Sequence, residues 1–205
     1  MGPAQTVGYL AYDHTGGRAA MIDAPLGVTR KCLQFIKDSD LTLDYIINTH
    51  GHWEQTAENT ALASATDAKL LAHSWDAARL ADPKITMEAY VTAKIAPSRA
   101  DRSLQDAEHI IVGEFTLEVF HTPGHSPGSV CLYCPSDSVL FSGDTLLRTK
   151  VGSTDAPGGS SERLVESLRR LANLPDATRV YPARGLPTTI GNERWLLDLA
   201  AADAK

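Results

Sequence analysis

The chain has 205 residues, a formal net charge of -6 and a pI of about 5.6, with 43% hydrophobic and 21% charged residues. That size and balance suit one α/β domain with a proper core, taken here as residues 1–205, and the mild acidity gives no electrostatic footprint for nucleic acid or anionic lipid. No apolar run approaches the roughly 20 residues of a membrane span, residues 1–6 show no basic-then-apolar leader, and three cysteines, an odd and sparse set, fit a reducing compartment rather than a disulfide framework. A cytoplasmic protein is expected.

Residues 7–11 and 18–22 run apolar on either side of Asp13-His14-Thr15-Gly16-Gly17, which predicts a hairpin with a glycine-rich turn. Residues 25–29 read as a loop. In residues 29–37, Cys32, Leu33, Phe35 and Ile36 give a helix one buried face. Residues 43–48 form an apolar strand, and the alanine-rich residues 54–65 a helix. A short strand over 70–72 precedes a helical turn over 76–80 that ends near Pro83. Residues 84–107 lack a clean period, and Pro97 with its charged neighbours predicts an exposed, mobile segment over the site.

Strands are then predicted over 110–112, 115–121, 129–133 and 139–142, punctuated by Pro123-Gly124 and Pro127-Gly128. Cys131 and Cys134 lie three apart on strand-like sequence and so face opposite sides, which makes them core positions rather than a redox or zinc pair. Residues 152–160 are a Gly/Pro/Ser loop. Ser160 or Ser161 caps a helix through Asn173 that carries Leu164, Leu168 and Leu171 on one face. A last strand covers 179–181 and a closing helix 193–202. Two sheets back to back with helices outside would bury this pattern.

Chemistry-bearing residues gather at strand ends. Thr49-His50-Gly51-His52-Trp53-Glu54-Gln55 follows the strand over 43–48. Side chains two apart on extended chain point the same way, so His50 and His52 form a metal-type pair, although two ordinary loop histidines would look alike. His125 sits in the rigid turn Thr122-Pro123-Gly124-His125-Ser126-Pro127-Gly128, Asp144 follows an apolar strand in Phe141-Ser142-Gly143-Asp144, and Tyr181-Pro182-Ala183-Arg184-Gly185 ends the last strand. Any of these alone reads as a turn residue. Four together make a site.

These stretches, with Gly152-Ser153-Thr154-Asp155-Ala156-Pro157-Gly158-Gly159, resemble the metallo-β-lactamase-fold superfamily in order and spacing, from about residue 18 to the end. Within it the chain looks like the short hydroxyacylglutathione hydrolase (glyoxalase II)-like proteins. The resemblance implies a four-layer αββα sandwich with the site at one edge. It also implies that His50, His52 and His125 ligate a first metal, with Asp144 as the carboxylate that normally bridges two. The family's first motif is Thr-His-x-His-x-Asp-His, whose last two positions are Glu54 and Gln55 here. Arg184 stands where the last histidine belongs.

An arginine stays protonated and offers a metal no lone pair, but it can fork onto Asp144 or Glu54. Gln55 is a poor substitute for imidazole at zinc. One zinc ion is therefore expected, with Arg184 as a built-in cation. By resemblance the activity is hydrolysis of a thioester or other ester-like bond by a zinc-activated water, whose pKa zinc brings to about 7. In that reading Glu54 is the general base, Asp144 orients the water and Arg184 stabilises the oxyanion. Glutathione itself is not implied, because the helical extension of the larger glyoxalase II enzymes would fall beyond Trp195. Two alternatives stand beside this. One is a persulfide dioxygenase with a single iron on two histidines and Asp144. The other is a non-catalytic protein whose Arg184, Glu54 and Gln55 form a salt-bridged patch over an eroded site. The expected partner is a small molecule, not nucleic acid or membrane, with monomer and homodimer both open. His121, His73, His14 and His109 read as structural or surface residues, and Trp53 either lines the pocket or packs.

Overall fold

A computed structural model describes residues 5–89 and 91–202, the last four by backbone alone. The leader reading of residues 1–6 therefore falls mostly outside the described residues.

The elements run β1 (Tyr9–Tyr12), β2 (Arg18–Ile22), α1 (Val28–Asp38), β3 (Thr42–Ile47), α2 (Trp53–Thr56), α3 (Asn59–Thr66), β4 (Lys69–His73), α4 (Ala77–Ala81) and β5 (Arg102–Leu104). The second half has β6 (His109–Val112), β7 (Phe115–His121), β8 (Val130–Cys134), β9 (Val139–Gly143), β10 (Leu146–Leu147), β11 (Lys150–Val151), α5 (Ser161–Leu171), β12 (Arg179–Pro182), β13 (Thr188–Thr189) and α6 (Arg194–Ala202). One sheet has the order β1-β2-β3-β4-β5, with β2 to β5 parallel; the other has the order β13-β12-β9-β8-β7-β6 and is antiparallel except for the β12–β9 pair.

The layers follow from the side-chain alternation of strands. In β2, Ala20 and Ile22 face the other sheet, where they meet Leu117, Val119, Leu132 and Phe141. Ala19 and Met21, on the reverse face, pack under Cys32 of α1, Leu62 of α3 and Leu80 of α4. The second sheet does the same: Phe120, Cys131, Leu140 and Val180 pack under Leu164, Leu168 and Leu171 of α5 and Leu197 of α6. Strands covered on both faces explain the nearly unbroken apolar runs of β2 and β8. The result is the expected αββα sandwich. Cys131 and Cys134 lie in different cores, and all three cysteines are free.

Local differences from the sequence reading have tertiary causes. The predicted helix over 54–65 is broken into α2 and α3, because Ala24, in the loop after β2, takes the Gln55 carbonyl through its N–H (2.7 Å) and gives its own carbonyl to the Glu58 N–H (2.8 Å). The Glu58 carboxylate then reaches across to the Gly27 and Thr29 N–H groups, each at 2.6 Å, at the start of α1. β5 lies inside the stretch read as irregular. β10, β11 and β13 are two residues long, too short to leave a periodic signal.

Candidate metal centre

β3 ends at Ile47, so His50 and His52 stand beyond the strand in the loop to α2 rather than on it. Their rings meet edge to face, with centroids 4.7 Å apart. His125, in the turn between β7 and β8, completes a triangle at 4.7 Å from His50 and 4.5 Å from His52. Each ring offers one nitrogen to a group whose members all lie within 4.8 Å of one another. All three rings are buried.

The hydrogen bonds around the triangle orient it. His125 Nδ1 lies 2.6 Å from the Ser153 carbonyl, which can only accept, so Nδ1 carries the hydrogen and Nε2 keeps the lone pair. His50 Nδ1 faces the Thr49 hydroxyl at 3.1 Å, and that hydroxyl donates to Asp23 Oδ2 at 2.8 Å. Thr49 thereby links Asp23 to His50 Nδ1. The Nε2 atoms of His50, His52 and His125 and Oδ1 of Asp144 are buried with no hydrogen-bond partner. Buried polar atoms are almost always paired, so three imidazoles each offering a nitrogen within 4.8 Å of the others, with a buried carboxylate beside them, fit a divalent ion.

Burial, followed by the neighbouring imidazoles and Arg184, holds His50 well below the usual histidine range and pushes His52 down to about 3. Both are neutral at pH 7, the form that ligates. Burial raises Asp23 to about 8, against the two bonds it receives from Thr49.

Asp144 Oδ2 sits 3.7 Å from His50 Nε2 and 3.6 Å from His125 Nε2, too far for hydrogen bonds but near enough to share an ion. The same oxygen accepts from Arg184 Nε at 3.1 Å, while Arg184 Nη2 donates to Glu54 Oε1 at 2.8 Å. Arg184 thus forks onto both acids. Its turn is anchored from the far end of the chain: Val7 N donates to the Ala183 carbonyl (2.8 Å) and the Tyr9 hydroxyl to the Pro182 carbonyl (2.7 Å). Burial works against the guanidinium's charge, but Asp144 and Glu54 together raise its pKa above the ordinary value. Burial also raises the Glu54 carboxyl, with Arg184 pulling the other way. Gln55 is fully buried, and neither atom of its amide is bonded.

A cavity of about 770 Å³ opens over this group, reaching His52, His125, Asp144, Glu54 and Arg184 at its floor. Ile85, Met87, Leu147, Val151 and Pro157 give it apolar walls. Residues 85–88 come from the segment predicted to lie over the site, and they do line it. Trp53 does not: it is buried and packs, its N–H donating to Thr86 Oγ1 (3.1 Å) and its indole to Glu88 (3.2 Å). His73 and His121 stack on each other with centroids 4.1 Å apart, while His14 and His109 are exposed.

Three participants were not read from the sequence. Asp23 ends β2 as Asp144 ends β9, and that shared pattern, an acid after a buried strand, could have found it. Asp76 and Arg79 carry no such signal, yet Asp76 is 1% exposed and bonded to both histidine loops.

An αββα sandwich with a three-histidine cluster at the sheet edge is a metal-site fold of a recognisable class. The sequence matches the metallo-beta-lactamase superfamily over residues 1–184, and the chain belongs to that family. It is similar to the hydroxyacylglutathione hydrolase of Maricaulis maris, 32% identical over 94% of this chain, and spans 66% of that relative's length. It is also similar to bovine (Bos taurus) persulfide dioxygenase ETHE1, mitochondrial, at 31% identity over 93% of this chain and 70% of the relative. Among solved structures, TTHA1623 in a di-iron-bound form superposes with a TM-score of 0.85 at 34% identity, covering 95% of this chain and 94% of that one. Among the described residues, no helix is long and apolar enough to cross a membrane.

Proposed function

We propose that the chain is a metallohydrolase of a thioester or other ester-like bond that works with one divalent ion, zinc in this reading. His50, His52 and His125 would hold the ion, with Asp144 beside them, and Arg184 would take the place of a second. The observation that carries this is the fork of Arg184 across Asp144 Oδ2 (3.1 Å) and Glu54 Oε1 (2.8 Å). A fixed cation there disfavours a second metal ion by like charge, and an arginine cannot ligate one. The family resemblance and a 32% identical relative named hydroxyacylglutathione hydrolase support the reaction class.

When bound, such an ion supplies an acidified water and a polarised carbonyl. The residues of the chain do the rest. The apolar walls at Ile85, Met87, Leu147 and Val151 bind the substrate's carbon skeleton and place the scissile carbonyl over the histidines. Glu54, with a raised pKa, takes a proton from water as the new C–O bond forms. Arg184 meets the charge that develops on the carbonyl oxygen. The C–S or C–O bond then breaks, and Glu54 returns the proton to the departing thiolate or alkoxide. Asp144, fixed by Arg184, keeps the water in line.

A second reading rests on Asp144 Oδ2 lying within 3.7 Å of two histidine nitrogens, a two-histidine, one-carboxylate set, and on the 31% identical relative named persulfide dioxygenase. Metal analysis of protein purified without added metal, paired with thioester hydrolysis and with oxygen uptake on a persulfide, separates the two. Iron with oxygen uptake would sink the hydrolase reading. No bound metal at micromolar zinc would leave the salt-bridged, non-catalytic alternative.

A further inference from the structure

Outside the ligand group, one buried carboxylate joins the loops that carry it. Asp76, between β4 and α4, accepts four hydrogen bonds. Its Oδ2 takes the Gly51 N–H at 2.7 Å and the Ser126 hydroxyl at 2.6 Å; its Oδ1 takes the Gly128 N–H at 3.0 Å and Arg79 Nη1 at 3.2 Å. Gly51 stands between His50 and His52, and Ser126 follows His125. Arg79 Nη2 in turn donates to the Pro157 carbonyl in the loop whose Ser153 carbonyl orients His125. The two glycines are required for this approach: a Cβ on Gly51 would lie 2.8 Å from Asp76 Cβ, and one on Gly128 2.7 Å from Asp76 Cγ.

We infer that Asp76 is the positioning residue of the metal site: with Arg79 it clamps the three loops that fix His50, His52 and His125 relative to one another. This rests on the metal-site reading above. The chemistry is specific to a carboxylate. Every neighbour in these four bonds is a donor, so an acceptor-only group is needed. Asparagine has the same shape but turns an NH₂ toward donors, leaving at least one buried N–H unmade. Asp76 touches no reacting atom. Its effect reaches the ion through ligand geometry, as outer partners of metal sites do.

The test uses the full chain as wild type, Asp76→Asn and Ser126→Ala, each stripped of metal and retitrated with zinc against a chromophoric chelator. Absorption of the cobalt-substituted proteins reports ligand geometry, and the thermal midpoint of the stripped proteins reports folding. Asp76→Asn is expected to bind zinc about tenfold or more weakly, with an altered cobalt spectrum. Ser126→Ala, which removes one of the four bonds, is expected to shift in the same direction by less. Wild-type affinity and spectrum in a folded Asp76→Asn protein would overturn the inference. If Asp76→Asn does not fold, Ser126→Ala decides: weakened binding supports the clamp, and unchanged binding overturns it. A wild type that binds no zinc overturns the metal reading and this inference with it, whereas normal binding in both wild type and variants overturns this inference alone.

Discussion

Arg184 donates through Nε to Asp144 Oδ2 at 3.1 Å, and that same oxygen lies within 3.7 Å of His50 and His125. One carboxylate oxygen therefore faces a triangle of imidazoles on one side and a permanent cation on the other. In the proposed reading, this is how the site runs on one ion. The side that would hold a second ion already carries a positive charge.

Removing that charge has a readable cost. Arg184→Met leaves Asp144 and Glu54 without their shared partner. We expect kcat to fall roughly 10²- to 10³-fold, the loss typical of one oxyanion-stabilising donor, with a smaller change in KM. Arg184 is about one-third exposed, so the stability loss should stay well below the ~3–5 kcal/mol of a fully buried pair. Arg184→Lys should recover little, because a point charge cannot bridge two acids. Steady-state kinetics on a panel of thioesters, with thermal melts alongside, checks this. Unchanged kcat in Arg184→Met would remove the oxyanion role.

Glu54 should set the acid limb of the rate profile. Burial holds its carboxyl above the usual value, and it works only when ionised, so kcat/KM rises with pH through that raised pKa. Glu54→Gln keeps a bond to Arg184 but cannot take a proton. A loss of about 10²- to 10⁴-fold is expected, together with disappearance of that limb. A Glu54→Gln profile with the wild-type limb would assign it to another group.

Metal-free protein should lose stability in mild acid. His50 and His52 stay neutral in the fold, while in the unfolded chain both take up protons as pH falls through about 6.5. The unfolded state then binds more protons, so stability drops as pH drops. Asp23 works the other way, holding one proton in the fold up to about pH 8 that the unfolded chain has already lost. His73, also held below the usual histidine range by burial, adds to this side, so below pH 6.5 the histidine protons outweigh the one on Asp23 and stability falls as pH falls. As the histidine difference fades above 6.5, the Asp23 proton dominates and stability declines. Urea midpoints of chelator-treated protein should therefore rise from pH 5 and pass through a maximum before pH 8. A steady rise across that range would refute the assignment of Asp23.

The sandwich was legible because its strands are apolar on both faces, as Ala19 to Ile22 are, and because its turns carry their own punctuation. The candidate ligands were legible because each follows a strand end in a short rigid motif. Arg184 was visible as a departure from the family pattern, which placed it beside Asp144 and Glu54; its chemistry allowed a fork onto either acid, and it bonds both. Asp76 was not legible. Its partners stand 25, 50 and 52 residues away, and nothing in His73-Ser74-Trp75-Asp76 distinguishes it from a surface turn. The break between α2 and α3 was hidden for the same reason: Ala24 makes it from another part of the chain. Trp53, for which the sequence allows either packing or pocket lining, packs, and its indole is spent on Glu88.

The claim that one ion and Arg184 replace two ions is tested most directly by the metal-to-protein ratio. It should be measured by elemental analysis on the wild type and on the triple variant Glu54→Asp, Gln55→His, Arg184→His, which restores the family's second ligand set. About one metal per chain is expected in the wild type, rising toward two in the variant. Two metals bound to the wild-type chain would contradict it.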